Sequence, residues 1–102
     1  GTIIEEILDK IEIAYQLTKF LLDNYRKNLC NRYKLDENFI EEKLSQEQPE
    51  NYNIYEIMLE IGKKRGCVMS GGKIDEEKTA RILLDEFKNG QLGRITIECP
   101  TK

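Results

Sequence analysis

Apolar residues recur every three or four positions through most of this 102-residue chain. Such spacing places them along one face of an α-helix. Several amphipathic helices in one short chain can bury their apolar faces only against one another. We therefore predict an all-α fold: one domain over residues 1–102, built as a small bundle of four or five helices. The first stripe continues from Ile3 and Ile4 through Ile7, Leu8, Ile11, Ala14, Tyr15, Thr18, Leu21, Leu22 and Tyr25.

The helix boundaries in the first half depend on two aspartates. Asp9, followed by Glu12, resembles a capping box, which predicts a short helix at about 3–8 and a long one at about 10–28. One continuous helix is the alternative. Residues 28–34 are interpreted as a transition. Asp36 is predicted to cap a third helix at about 37–45, with Phe39, Ile40 and Leu44 facing inward.

The second half is predicted to hold two more helices. Asn53 is interpreted as the N-cap of a helix that runs through about Lys64 and stops at Gly66. A loop over residues 67–74 follows, and Asp75 caps the last helix, which ends at Gly90. Alternating residues at 92–98 predict a short extended C-terminal segment. The inward residues of these two helices are Ile54, Ile57, Met58, Ile61, Ala80, Leu83, Leu84 and Phe87.

Positive charge is concentrated in one part of an acidic chain. Residues 1–61 carry 7 Lys and Arg against 13 Asp and Glu, whereas residues 62–94 carry 8 against 5. Within residues 61–73, four cations and four glycines occur without an acid. Cations beside glycine-exposed backbone amides suit a phosphate-rich partner. Alternatively, Lys63, Lys64 and Arg65 offset the dipole of a helix end, and Gly71–Gly72 form a turn.

The last helix extends this basic region. Lys78, Arg81, Asp85 and Lys88 fall on the face opposite its apolar stripe, which favours either a surface continuous with the preceding loop or a solvated face with an Arg81–Asp85 pair. A second cationic stretch holds Tyr25 and Tyr33, which suit either RNA stacking or core packing, with core packing favoured for Tyr25. Its cations are Lys19, Arg26, Lys27, Arg32 and Lys34.

The residue types present argue against several kinds of site. The chain has no His and three widely spaced cysteines, Cys30, Cys67 and Cys99, which predict free thiols in a reducing cytoplasm rather than disulfides or a metal site. Ser70-Gly71-Gly72-Lys73 fails as a phosphate-binding loop because Ile74 follows the lysine. Pairs of acidic residues that are adjacent in the sequence point to different sides of a helix, so they are not predicted to form a catalytic site. We predict no catalytic residue, no metal, no cofactor and no membrane span in this chain.

One family shares the pattern of residues 62–96. The segment reads Gly62-Lys63-Lys64-Arg65-Gly66-Cys67, then Gly71-Gly72, Ile74-Asp75, Ala80, Leu84, Phe87, Gly90 and Leu92-Gly93-Arg94-Ile95-Thr96. It resembles the C-terminal domain of the ribosome biogenesis GTPase A family, which are circularly permuted bacterial GTPases. Glu6-Ile7-Leu8-Asp9-Lys10 and Arg32-Tyr33-Lys34-Leu35 extend the resemblance over nearly the whole chain.

The resemblance implies a helical RNA-binding domain similar to ANTAR domains. We expect this chain, which begins Gly1-Thr2, to be a non-enzymatic fragment whose parent binds GTP and Mg²⁺ in a separate GTPase domain. The expected partners are rRNA, a large-subunit precursor, a ribosomal protein and that GTPase domain, and a monomer is expected. The resemblance assigns RNA contact to Lys63, Lys64, Arg65, Lys73, Arg81 and Arg94, and the exposed helix face adds Lys78 and Lys88.

Regulation of the GTPase domain and binding of a basic ribosomal protein are the alternative functions. In the first, an apolar or acidic face of the domain packs on the GTPase domain and senses its nucleotide state. In the second, the acidic first half of the chain binds the ribosomal protein, and Glu5, Glu6, Asp9 and Glu12 matter more than the cations.

Overall fold

The computed structural model describes residues 3–46 and 50–93, and it confirms the all-α prediction. Five helices follow one another along these residues, and no strand is present among them. They are α1 (Ile3–Asn24), α2 (Arg26–Tyr33), α3 (Glu37–Ser45), α4 (Glu50–Lys64) and α5 (Glu76–Lys88). The predicted extended segment lies almost wholly outside the described residues, since only Leu92 and Gly93 of it are included.

The first helix continues through Asp9, so the predicted short helix and cap are wrong and the continuous alternative is correct. Asp9 is exposed, and no glycine or proline interrupts the helical pattern beside it. The predicted end near residue 28 is also wrong, because the chain bends at Tyr25 and resumes as α2. Leu29, Cys30 and Tyr33 of α2 are buried, so residues interpreted as a transition belong to the core.

Local capping explains where α2, α3 and α5 begin or end. The carboxylate of Asp36 accepts a hydrogen bond from the N–H of Asn38, and that of Asp75 accepts one from the N–H of Lys78. Both aspartate caps are therefore confirmed. Lys34 ends α2 in the left-handed region at φ 56° and returns its N–H to Cys30. The interpretation of Asn53 is wrong, because α4 begins at Glu50 and Asn53 lies buried inside it.

The core lies where α5 packs against α1 and α4. Contacts of α5 with α1 are the most extensive between any two of the described helices, and α3 covers α4 from another side. Gly62 of α4 marks the closest approach, because a Cβ there would collide with the Thr79 hydroxyl and lie 3.0 Å from Ile74 Cγ2. The buried apolar side chains of α4 and α5 are Ile54, Ile57, Met58, Ile61, Ala80 and Leu83, as predicted.

Two polar contacts connect α4 to neighbouring helices. The Tyr55 hydroxyl donates to the Glu76 carboxylate in the first turn of α5. Burial, together with that bond, raises the pKa of Tyr55 to about 12. Lys43 of α3 pairs with Glu56 at 3.0 Å. These contacts join α3 and the start of α5 to adjacent residues of α4, and so they hold both helices against it.

Candidate nucleic-acid interface

A short hairpin joins α4 to α5. The N–H of Met69 donates to the carbonyl of Lys73 at 2.7 Å, and the N–H of Asp75 donates to the carbonyl of Cys67 at 2.7 Å. These bonds enclose an antiparallel bridge between Val68 and Ile74. The loop predicted over residues 67–74 therefore has a defined, hydrogen-bonded shape. We call residues 63–75 the basic hairpin.

Glycine makes the reversal at the tip of the basic hairpin possible. Gly71 and Gly72 adopt φ values of +92° and +85°. A side chain at either position would be strained, because L-residues rarely adopt this region. The N–H of Gly72 closes the turn onto the carbonyl of Met69 at 3.0 Å. The interpretation of this pair as a turn is confirmed, and the turn leaves the backbone of the tip accessible to a partner.

Four exposed lysines lie in or beside the basic hairpin. Lys63 and Lys64 lie exposed in the last turn of α4, Lys73 lies on the returning arm, and Lys78 lies in the first turns of α5. Within residues 3–46 and 50–93, none of these four ammonium groups forms an ion pair. The four lysines thus come from two helices and the loop that joins them, and all four are exposed.

Arg65 has a different environment from the lysines beside it. Its guanidinium donates a 2.8 Å bond to Glu86 of α5, and its side chain is 42% exposed. Arg32 of α2 reaches the same carboxylate at 3.1 Å. The hydroxyl of Tyr33 completes the group with a 2.8 Å hydrogen bond to Glu86. Arg65 is therefore engaged in holding α4, α5 and α2 together.

Glu86 remains ionised in this buried position because its partners outweigh desolvation. Burial alone would raise the pKa of the carboxyl, but hydrogen bonds from Arg32 and Tyr33 and the charge of Arg65 hold it below its usual value. Burial and the bond to Glu86 raise the pKa of Tyr33. Tyr33 is 2% exposed, so it cannot stack on a base, and the RNA-stacking interpretation of this residue is wrong. Tyr25 packs against the core beside Phe20, as predicted.

The exposed face of α5 carries the remaining candidates. Arg81 pairs with Glu77 at 3.0 Å, so the predicted pairing with Asp85 is wrong. Arg81, Asp85 and Lys88 line a cavity of about 410 Å³ between α5 and α1. Lys10 of α1 joins them there, a cation that the periodicity of α5 could not indicate. Arg94, the last candidate, lies outside the described residues.

Metal-binding groups, thiols and helix length each bear on a different kind of site. Within the described part of the chain, no group of three or more acidic or cysteine side chains is arranged to hold a metal ion. Cys30 and Cys67 are buried free thiols. None of the described helices is long and apolar enough to cross a membrane. Exposed lysines beside a glycine turn can instead neutralise several phosphates at once.

Comparison with known proteins shows which proteins have a sequence similar to this chain. A protein of Bacillus cereus named ribosome biogenesis GTPase A is 37% identical over 100 residues, which are 98% of this chain and 30% of that protein. This chain is a relative of the ribosome biogenesis GTPase A proteins. The family resemblance predicted from residues 62–96 is therefore confirmed. No protein-family model matches the chain.

Two further ribosome biogenesis GTPase A proteins show the same coverage. The protein of Priestia megaterium is 33% identical over 102 residues, and that of Bacillus licheniformis is 33% identical over 100 residues. Each match covers 98% or more of this chain but 31% of the relative. The chain thus spans about a third of the length of the ribosome biogenesis GTPase A proteins that it matches.

Proposed function

We propose that this chain is the C-terminal rRNA-docking domain of a ribosome-assembly GTPase and acts in the bacterial cytoplasm. Its basic hairpin and the exposed face of α5 bind phosphates of rRNA on a late large-subunit precursor. Docking positions a GTPase domain that is separate from residues 1–102, and GTP and Mg²⁺ bind to that other domain. The relatives are named ribosome biogenesis GTPase A, which supports the link to ribosome assembly.

The observation that carries the proposal is the set of exposed lysines around the basic hairpin, which form no ion pair with any residue that the structure describes. Lys63, Lys64, Lys73 and Lys78 are exposed, whereas the neighbouring Arg65 is held by Glu86. Each lysine that contacts a phosphate releases condensed counterions, so affinity comes from charge and falls steeply with salt. Selectivity then rests on the shape of the folded RNA. A net charge of −3 for the whole chain makes a localised contact more favourable than a diffuse one.

A second function is favoured by the start of α1. Ile3, Ile4 and Leu8 are 75%, 68% and 59% exposed, and they continue the helix stripe that is buried further along. Apolar surface of this kind is typical of a protein contact. It supports the alternative in which the domain packs on the GTPase domain and regulates it.

The test is binding of the chain to purified large-subunit precursor particles over a salt series. We expect Lys63→Gln/Lys64→Gln to weaken binding and to reduce the slope of log K against log salt by about 2, since each phosphate contact contributes roughly 0.9. The matched control is Lys27→Gln/Lys34→Gln, which removes the same charge from exposed positions at α2. Equal losses in both variants would contradict an RNA contact at the basic hairpin.

The alternative functions predict a different pattern. If the domain works by packing on a GTPase domain, Leu8→Glu weakens binding to an isolated GTPase domain of a relative, and the lysine variant does not. If a ribosomal protein is the partner, charge reversal at Glu6 and Glu12 has the larger effect on binding to the precursor.

A further inference from the structure

The tip of the basic hairpin carries apolar side chains that the charge-based contact does not use. Val68 and Met69 are 48% and 45% exposed. Two other apolar residues of this loop are less exposed. Cys67, at the base, is 0% exposed, and Ile74 is half-buried against α4. The exposure of Met69 therefore follows from its position on the turn, where the core is out of reach.

The pairing of the two arms fixes which side chains are neighbours. Val68 is bridged to Ile74, so the next pair toward the tip is Met69 with Lys73, and their backbones share the 2.7 Å bond. Side chains of directly opposite residues lie on the same face of an antiparallel pair, about 5 Å apart at Cβ. Successive residues alternate faces, so Met69 and Lys73 share the face opposite Ile74. Both side chains of this pair are exposed, and Met69 is 45% exposed.

We infer that Met69 and Lys73 act together as a reader of unpaired RNA bases, with Lys73 on the phosphate and Met69 against the base. The inference rests on the proposed function and deepens it. A thioether is polarisable and packs well on aromatic rings. Bases become available for such contacts in loops and bulges, where they are unstacked, and not inside a paired helix. The exposed lysines in and beside the basic hairpin favour RNA over an apolar protein surface as the occupant of this tip.

The position of the turn strengthens the argument for a base contact. Gly71 and Gly72 follow Met69 closely and have no side chain, and a Cβ at either would meet nothing within 4 Å. An RNA backbone can therefore approach the tip without collision. Three backbone hydrogen bonds hold the tip in shape, so little conformational entropy is lost when Met69 is covered.

The experiment compares the chain on two synthetic RNAs: a 16-base-pair duplex, about the span of one double-stranded-RNA domain, and the same duplex with a three-nucleotide bulge. We expect wild type to prefer the bulged RNA by about five-fold, the low end of the effect of a stacked side chain. Met69→Ala should bind both RNAs equally and keep the wild-type salt slope, whereas Lys73→Gln should reduce the slope. Ile13→Ala is the matched control, since it shortens an apolar side chain that is 55% exposed in α1.

Each outcome separates this inference from the proposed function. A bulge preference that Met69→Ala retains overturns the inference and leaves the phosphate contact standing, as does a wild type without preference but with salt-dependent binding. Loss of binding to precursor particles, but not to the synthetic RNAs, in Met69→Ala would assign the tip to a protein and overturn the inference. Salt-independent or undetectable binding of wild type to both the RNAs and the particles would overturn the proposed function and the inference with it.

Discussion

The hydroxyl of Tyr33 in α2 donates a 2.8 Å hydrogen bond to the carboxylate of Glu86 in α5, 53 residues further along the chain. Arg32 and Arg65 bind the same carboxylate, so one acid satisfies a buried phenol and two cations. The contact joins the second helix to the last one at the base of the basic hairpin. A structural role for Glu86 follows from this geometry.

The first prediction concerns the stability of this contact. Glu86→Gln keeps the side-chain volume but removes the charge, so the bonds from Arg32, Arg65 and Tyr33 weaken together. Hydrogen bonds to charged groups contribute about 1.5–3 kcal/mol each, and the partly exposed arginines can regain water. We therefore expect a loss of about 2 kcal/mol in the free energy of unfolding, measured by urea denaturation. Glu77→Gln, which breaks the exposed pair with Arg81, should cost less than about 0.5 kcal/mol.

The second prediction is the pH dependence of the same contact. The pKa of Glu86 is lowered in the folded chain, so the unfolded chain binds more protons at acidic pH. The stabilisation is complete above the pKa of an unfolded glutamate, roughly 4.3, and disappears as the pH falls through the lower folded value. The difference in unfolding free energy between wild type and Glu86→Gln should shrink below about pH 4.3. A constant difference down to pH 2 would contradict this linkage.

The third prediction tests the close approach of α4 and α5. Gly62→Ala should destabilise the chain by about 1–3 kcal/mol, because the new methyl group collides with the Thr79 hydroxyl and must move packed neighbours. Helix propensity alone predicts the opposite sign, since alanine is favoured over glycine in a helix by about 1 kcal/mol. Thermal denaturation distinguishes the two. A second substitution, Thr79→Ala, removes the colliding atom and should restore part of the stability.

The fourth prediction concerns the cap that ends the basic hairpin. Asp75→Ala removes the acceptor for the N–H of Lys78, and we expect a loss of about 1 kcal/mol in unfolding free energy. Asp85→Ala is the control, since it removes an exposed aspartate from the last turn of the same helix, and it should stay within about 0.5 kcal/mol of wild type. A loss in Asp75→Ala no larger than that in Asp85→Ala would contradict the capping role.

Local signals explain which parts of the fold could be predicted from sequence. The caps at Asp36 and Asp75 are set by bonds two or three residues along, so a sequence pattern contains them. The stripe of α5 is equally local. The bend at Tyr25 could not be predicted, because no glycine or proline marks it. Tyr25 packs beside Phe20 there, a contact that a sequence pattern does not show. Asn53 has the residue type of a cap, yet α4 begins before it.

The candidate site shows the same division. The cluster of cations and glycines in residues 61–73 predicts a basic loop, although it does not predict that the loop forms a hairpin. The partners of Arg65 and Tyr33 could not be found this way, because Glu86 is a charged residue that periodicity places near the solvent boundary of α5. Its hydrogen-bond partners Arg65 and Tyr33 are 21 and 53 residues away in the sequence. Only the packing of three helices shows that Arg65 differs from Lys63 and Lys64.

The span of the Tyr33–Glu86 contact also bears on the order in which the chain folds during synthesis. When α1 and α2 have formed, the phenol of Tyr33 and the guanidinium of Arg32 still lack their acceptor, which is made 53 and 54 residues later. Until α5 has been made, these two side chains of α2 can bond only with water, and their bonds to Glu86 form afterwards. Because Arg65 shares that acceptor, the bond between the basic hairpin and Glu86 also requires that α5 be present.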